Sequence, residues 1–311
     1  MFLFFLASCS GANYDYLYTS GKVWGTDYNV TYKGSEHLAD SVKVLLDSVG
    51  SSLSFFNAQS SLSLLNKQGY CAPDKMLAEV LLLSQKVNRD SRGAFDPSVG
   101  ELVNLWGFGP EKGNILPDSV QVRMALRNCG IQRCVVSDRT VIIPQGMKLD
   151  FSAVAKGYAV DCIARMLRRN GVSNYMVEIG GELACAGNNP DGQKWRVMVE
   201  TPGEQDKVLI ASADSLCMAS SGNYRRVLKD SSGVSYGHTI SPVTGFPVVT
   251  NTMAVTVTAP DCATADALAT ACMAMPYADA RKMIDSLAGV EAVFVLDTAA
   301  VVTGAFPLVK P

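Results

Sequence analysis

Asp266 and Thr270 are the two side chains whose types and spacing most directly suggest chemistry. They lie four residues apart in residues 264–271, whose other members are four alanines, a leucine and a threonine. On a helix, residues at this spacing project from the same face. A carboxylate and a hydroxyl suit Mg²⁺, which commonly combines one or two carboxylates with substrate phosphates. In the alternative interpretation, the Thr270 hydroxyl bonds to the carbonyl of the preceding turn and Asp266 is a solvated charge. The spacing alone does not distinguish this interpretation from a metal site.

His238 is the candidate general base in a chain with two histidines. Histidine changes charge near neutral pH and is therefore the commonest general base. His238 lies where a predicted strand runs into a turn rich in proline and glycine. A histidine that only makes hydrogen bonds within the turn is the competing interpretation. His37 falls on a predicted surface helix and is interpreted as a bystander.

A second candidate site lies where a helix is predicted to begin at Ser152. The free N–H groups of a helix N-terminus attract phosphate. Lys156, about one turn further on, adds a positive charge for the same anion. Alternatively, Asp150 and Ser152 only cap the helix and Lys156 is solvated.

Gly180, Gly181 and Glu182 follow a predicted strand. Paired glycines let a ligand or another backbone approach closely, but they also form tight hairpin turns. The chain contains neither a G-x-G-x-x-G fingerprint nor a Walker A sequence. Dinucleotide binding by a Rossmann unit therefore has no support.

Hydrophobic periodicity divides the rest of the chain into short helices and strands. Helices are predicted over residues 36–56, 73–88, 117–129 (ended by Gly130), 152–170, 264–275 and 277–286. Strands are predicted over residues 23–32, 134–136, 140–143, 175–179, 195–200, 207–210, 215–219, 252–258 and 291–296. Because they do not alternate strictly, we expect a mixed α/β or α+β fold, forming one compact two-lobed unit over residues 21–311.

Composition excludes several classes of protein. The 311 residues are 48% hydrophobic and 18% charged, with a net charge of −2, which argues against nucleic acid as a partner. No apolar run has the length of a membrane-spanning helix. The nine cysteines include no C-x-x-C pair and no zinc spacing with histidine, so we expect no cysteine chemistry in catalysis.

The first residues predict a lipid anchor. Residues 1–7 are apolar, and residues 6–9 resemble a bacterial lipobox ending at Cys9, the expected lipidation site. Residues 1–20 are then the remnant of a signal segment followed by a tether. The positively charged start of a signal peptide is missing, which a start codon placed too far downstream would explain. A short buried strand or a cloning remnant is the alternative.

Seven segments, in order, resemble the ApbE family of FAD:protein FMN transferases, which are usually bacterial periplasmic lipoproteins. They are residues 95–100, 102–109, 149–161, 179–183, 219–226, 238–245 and 265–271. A match of this length is too extensive for a motif accident.

The resemblance implies a cleft between two lobes that binds FAD. It also implies Mg²⁺ held by Asp266, Thr270 and the backbone carbonyl of Ala153. The implied FAD contacts are Trp24, Phe56, Ala94, Phe95, Asp96, Asp150, Lys156 and Ile240, with Gly180, Gly181 and Glu182 lining the same cleft.

The implied reaction is attack by a Ser or Thr hydroxyl of another protein on the FMN-side phosphorus of FAD, which releases AMP. His238 would position or deprotonate that hydroxyl. Family acceptors are flavin-carrying subunits of Rnf-type and Na⁺-translocating quinone reductase complexes, and the location would be the periplasmic side of the cell envelope. A Mg²⁺-dependent FAD pyrophosphatase and a non-catalytic FAD-binding lipoprotein are the alternatives.

Two positions depart from the family pattern His-Thr-Ile-Asp-Pro-Arg/Lys-Thr-Gly. Ser241 and Val243 stand where the family has the aspartate and the basic residue. The loss of a carboxylate near His238 would alter its pKa or orientation, and the loss of the cation would weaken the grip on acceptor or phosphate. We nevertheless expect activity to survive, since Asp266, Thr270 and His238 are all present.

Overall fold

The computed structural model describes residues 15–111, 116–201, 209–223, 227–229 and 235–310. The predicted lipidation site, Cys9, lies outside these residues. The helices are α1 Ala39–Leu53, α2 Ser61–Gln68, α3 Lys75–Asp90, α4 Gly100–Leu105, α5 Ser119–Leu126, α6 Ala155–Arg169, α7 Cys262–Met273 and α8 Tyr277–Ser286, with a 3₁₀ turn at Ile131–Arg133. The strands are β1 Tyr16–Val23, β2 Thr26–Lys33, β3 Tyr70–Cys71, β4 Val135–Val136, β5 Val141–Ile142, β6 Tyr175–Ile179, β7 Glu182–Ala186, β8 Val197–Val199, β9 Leu209–Ala211, β10 Ser215–Gly222, β11 Val227–Lys229, β12 Ser235–Gly237, β13 Thr252–Thr258, β14 Glu291–Leu296, β15 Ala300–Val302 and β16 Leu308–Val309.

An eight-stranded sheet organises the molecule, in the order β1-β2-β6-β7-β10-β13-β14-β15. Every neighbouring pair in it is antiparallel. The mixture of helices and strands confirms the predicted fold class, and the antiparallel pairing places the chain in its α+β form.

Each face of the sheet is covered by a different layer. Helices α6 and α7 pack on one face, and α1 and α3 pack over those two helices. The small sheet β16-β9-β8 helps to cover the other face around Trp195 and Phe306. Since side chains alternate along a strand, Leu183 and Cys185 of β7 join this second core, whereas Ala184 joins the helix-side core. The same alternation turns Glu182 toward the helices.

The predicted tether is wrong for residues 16–20, which belong to β1. All eight residues of β1 pair with β2, from Tyr16 opposite Lys33 to Val23 opposite Thr26. Positions in Tyr16–Val23 alternate between partly buried and exposed. The sequence does not reveal this pattern, because glycine, serine and threonine occupy several of the positions. A truncation after residue 20 would therefore remove most of an edge strand.

Two residues predicted to mark helix ends, Ser152 and Gly130, are also wrong. Ser152 does not cap α6, because its backbone N–H and its hydroxyl both donate to Asp150 Oδ1, at 2.8 and 2.5 Å. Helix α6 begins three residues further on, at Ala155, directly after Val154. Gly130 does not end α5, which stops at Leu126; it precedes the 3₁₀ turn with a φ of +125°.

His37 is exposed and lies before α1 rather than on a helix. Among the described helices, none is both long and apolar enough to cross a membrane. The eight cysteines in the described residues are free thiols, and none of them lines the large cavity considered next.

Candidate active site

One cavity of about 930 Å³ opens at the end of the sheet that carries the β1–β2 and β6–β7 turns. Its walls come from these turns, the C-terminal end of α1, the segment before α4, the start of α6, α7 and the segment after β12. Every site residue predicted from the sequence within the described part of the chain lines it: Trp24, Phe56, Ala94, Phe95, Asp96, Asp150, Ala153, Lys156, Gly180, Gly181, Glu182, His238, Ile240, Asp266 and Thr270.

Helix α7 presents Asp266 and Thr270 to the cavity from one face. The helix is apolar on nearly all sides and is buried between the sheet and α6, so it cannot shift without opening the core. Asp266 is 3% exposed, and its Oδ2 accepts the backbone N–H of Gly157 at 3.0 Å. The Thr270 hydroxyl lies 3.3 Å from the Ser221 hydroxyl on β10. The Thr270 hydroxyl therefore faces the wall of the cavity that the sheet forms.

Asp161 fastens α6 to the N-terminus of α7. Its two carboxylate oxygens accept the backbone N–H groups of Cys262 and Ala263, each at 2.9 Å. Asp261 caps the same terminus through Thr264 N at 2.8 Å. Burial raises the pKa of Asp161 to about 6, although the two N–H groups oppose that rise. Together these bonds satisfy N–H groups that a helix leaves unpaired, and they fix α7 against α6.

Gly157 sits at a close approach of α6 to α7, and Gly157→Ala is expected to destabilise the protein. An added Cβ would lie 2.4 Å from the Cys262 carbonyl oxygen and 2.8 Å from Asp266 Cβ. Alanine normally stabilises a helix interior over glycine by about 1 kcal/mol, but overpacking here costs about 1–3 kcal/mol or more. Thermal unfolding should show a lower Tm. A raised Tm would mean that the helices are not in contact at this position.

Lys156, Glu182 and Asp266 form a charged cluster on the cavity floor. Lys156 Nζ lies 2.6 Å from Glu182 Oε1. Burial lowers the pKa of Lys156, but Asp266 and Glu182 outweigh that effect and the pKa is raised. Burial raises the pKa of Glu182 to about 7, against the opposing charge of Lys156. Burial likewise raises the pKa of Asp266, and Lys156 offsets part of that rise.

Asp96 and Asp150 are occupied by their own turns. Asp96 accepts N–H groups of Ser98 and Ile131 and the Ser98 hydroxyl, at 2.6–3.2 Å. Asp150 holds Ser152 in the same way. Burial raises the pKa of both carboxyl groups, and these hydrogen bonds oppose the rise. Both carboxylates therefore shape loops on the cavity wall.

Two exposed aromatic side chains stand at the cavity rim. Trp24 is 40% exposed and Phe56 is 59% exposed, which is unusual for residues of this size. Trp24 and Gly25 form the two-residue β1–β2 turn with φ values of +48° and +80°. The Trp24 indole lies over Gly50 of α1, since a Cβ there would approach Trp24 Nε1 to 3.0 Å. Such rims suit a planar aromatic ligand.

The segment after β12 brings His238 to the cavity. The His238 ring meets the edge of Phe108, with centroids 6.3 Å apart. Trp106 Nε1 donates to the Gly245 carbonyl at 2.9 Å and so anchors the following turn to the end of α4. The Ser241 hydroxyl accepts Val243 N and Thr244 N at 3.3 and 3.2 Å. Serine thus supplies a turn-forming acceptor where the family pattern has aspartate.

Several further residues that line the cavity have no role predicted from the sequence. Ser220 and Thr256 share a 2.8 Å hydrogen bond across β10 and β13, and Ser221 contacts Thr270. Glu178 accepts Gly181 N at 2.7 Å and Asn29 Nδ2 at 2.8 Å. Their place at the cavity depends on strand order, which spacing along the chain does not reveal. In the described residues, no three His, Cys, Asp or Glu side chains surround one point as a complete metal site.

The chain belongs to the ApbE family, whose family model matches residues 24–294. Fold and cavity agree with that assignment, since the match extends from the Trp24 turn through α7 into β14.

Individual relatives are flavin transferases. The FAD:protein FMN transferase of Vibrio cholerae is 35% identical over 287 residues, covering 88% of this chain and 85% of that protein. The enzyme of the same name from Haemophilus influenzae is 34% identical over 274 residues, covering 81% and 78%. The solved structure of the flavin transferase ApbE from Vibrio cholerae aligns with a TM-score of 0.86 at 31% identity, covering 95% of this chain and 100% of that one. The apo Pseudomonas stutzeri flavinyl transferase ApbE gives 0.87 at 30%, covering 94% and 96%.

Proposed function

We propose that this protein transfers the FMN part of FAD to a Ser or Thr hydroxyl of an acceptor flavoprotein and releases AMP. The observation that carries the proposal is the convergence of Asp266, Thr270, Lys156 and His238 on one cavity rimmed by Trp24. Relatives that cover most of the chain at up to 35% identity are named FAD:protein FMN transferases. A cavity of about 930 Å³ is also large enough for a dinucleotide-sized ligand.

The donor set of the cavity fits Mg²⁺. Asp266 supplies a buried carboxylate, Thr270 a hydroxyl, and Ala153 a backbone carbonyl from the cavity wall just before α6. Hard oxygen donors of this kind suit magnesium, which commonly combines one or two protein carboxylates with oxygens of substrate phosphates. When bound there, magnesium would neutralise charge on the phosphates as the bond to AMP breaks.

The protein side chains orient the substrate and move the proton. Lys156 offers its ammonium group to the pyrophosphate from the first turn of α6, while Glu182 and Asp266 keep it charged. Trp24 and Phe56 offer aromatic faces for the flavin at the rim. The acceptor hydroxyl attacks the FMN-side phosphorus and loses its proton to a ring nitrogen of His238. The new phosphoester bond replaces the phosphoanhydride bond to AMP.

Two finer proposals concern where the reaction occurs and with which partner. The acceptors would be flavin-carrying subunits of Rnf-type or Na⁺-translocating quinone reductase complexes. The protein would be anchored by a lipid on Cys9 at the periplasmic side of the cell envelope. Support for the acceptors comes from the family resemblance, and support for the anchor comes from that resemblance and from the lipobox-like residues 6–9.

The deciding experiment incubates the detergent-solubilised full chain with FAD, Mg²⁺ and an Rnf-type flavin-carrying domain. Mass spectrometry of the acceptor and chromatography of released nucleotides are the readouts. We expect a gain of one FMN per acceptor with stoichiometric AMP, both abolished by EDTA. AMP and free FMN beside an unmodified acceptor would make the protein a pyrophosphatase, and intact FAD would make it a binding protein.

A further inference from the structure

Two glutamates, Glu178 and Glu182, flank the Gly180–Gly181 turn and line the same cavity, but their carboxylates are used differently. Glu178 has hydrogen bonds to both oxygens, from Gly181 N and from Asn29 Nδ2. Glu182 is 2% exposed, and its Oε1 pairs with Lys156. Within the described part of the chain, Glu182 Oε2 is buried and has no hydrogen-bond partner.

An unpartnered carboxylate oxygen in such a place requires an explanation. Burying an acceptor without a partner is costly, and more so for a charged group. Buried polar atoms left unsatisfied by the protein commonly face an ion or a water molecule. Glu182 starts β7 and, like Ala184, points to the face of the sheet that meets α6 and α7, and it lines the same cavity as Asp266.

The charges of the cluster point the same way. Lys156 is shared between two carboxylates, those of Glu182 and Asp266, both of which act on it electrostatically. With all three groups ionised, the cluster carries one net negative charge. A bound divalent cation would make the net charge of the cluster positive, and a positive site favours binding of a pyrophosphate.

We propose that Glu182 supplies the second carboxylate of the magnesium site, through Oε2, alongside Asp266. The inference rests on the proposed function, which places magnesium at Asp266. It assigns Glu182 to cation binding rather than to the cavity wall alone. Magnesium is commonly bound by one or two carboxylates, so a second one is within its usual coordination.

Glu182→Gln and Glu178→Gln provide a matched test. Both changes are isosteric, remove one charge, and lie four residues apart on the same cavity wall. Mn²⁺ binding to the full chain, measured by electron paramagnetic resonance of the free ion, reports cation affinity without catalysis. We expect Glu182→Gln to weaken Mn²⁺ binding by about tenfold to a hundredfold and Glu178→Gln to change it by less than about twofold. Fluorescence quenching of FAD without metal should remain, since the side-chain amide oxygen in the Glu182→Gln variant can still accept from Lys156.

Equal Mn²⁺ affinity in Glu182→Gln and the unmodified chain would overturn the inference and leave the proposed function standing. The same holds if only metal-free FAD binding falls, because Glu182 would then merely orient Lys156. No Mn²⁺ binding by the unmodified chain, either alone or with FAD present, would instead contradict the magnesium site itself. If Glu182→Gln does not fold, Glu182→Asp provides a second variant. It keeps the charge but shortens the side chain by one methylene, which draws the carboxylate back from the proposed site. Unweakened Mn²⁺ binding in that variant would also overturn the inference.

Discussion

Asp266→Asn is expected to reduce FMN transfer by about a thousandfold while the protein remains folded. Loss of the carboxylate proposed to bind the metal removes several kcal/mol of charge stabilisation, and each 1.36 kcal/mol is worth about tenfold in rate. Asparagine keeps an oxygen that can accept the Gly157 N–H, so the contact between α6 and α7 survives. The transfer rate should be measured as acceptor mass gain over a range of Mg²⁺ concentrations.

Asp261→Asn is the matched control for this variant. It makes the same chemical change on the same helix, but Asp261 only caps α7, and asparagine caps a helix as well as aspartate does. We expect near-normal transfer. Full Mg²⁺-dependent transfer by Asp266→Ala would remove Asp266 from the metal site.

His238→Gln is expected to slow transfer to the protein hydroxyl by about a hundredfold to ten-thousandfold, the usual worth of a general base. FAD affinity should be retained, because Trp24, Phe56 and Lys156 remain in the cavity. A pH–rate profile separates a base from a positioning group: the acid limb of the unmodified enzyme should disappear in the variant.

The second histidine provides the comparison. His37 is exposed before α1 and does not line the cavity, so His37→Gln should behave like the unmodified chain. If His238→Gln transfers FMN at the normal rate with an unchanged pH profile, proton removal must be assigned to another group or to water.

Sequence periodicity predicted the elements whose burial pattern is strong. Strands β6, β13 and β14 and helix α8 have the predicted bounds, because the hydrophobic period of each lies between turn-forming residues such as Gly180, Asn251, Pro276 and Gly289. Strand β7 was missed, since Glu-Leu-Ala-Cys-Ala contains no β-branched or aromatic residue. Its place between β6 and β10 comes from pairing with both neighbours.

For the site, spacing along one helix predicted which side chains share a face. Contacts between separate elements could not be predicted from the sequence. The i, i+4 relation placed Asp266 and Thr270 on one face of α7. The ion pair of Lys156 with Glu182 and the bonds of Asp161 to α7 join residues 26 and about 100 positions apart. Only the order of strands and the packing of α6 on α7 bring these groups together. Ser152 was misread for a different reason: its partner is the neighbouring Asp150, whose burial the sequence does not show.

The β1–β2 turn reveals a conflict between two kinds of selection. A two-residue turn with both φ values positive is best served by Asn-Gly, and a tryptophan held at +48° costs on the order of 1 kcal/mol or more. Selection for stability alone would therefore discard Trp24 in favour of asparagine. Its indole is instead displayed at the mouth of the cavity. Selection for heat resistance alone thus favours loss of the proposed Trp24 contact with the flavin, and screens for more stable variants of this enzyme need a binding step alongside the thermal one.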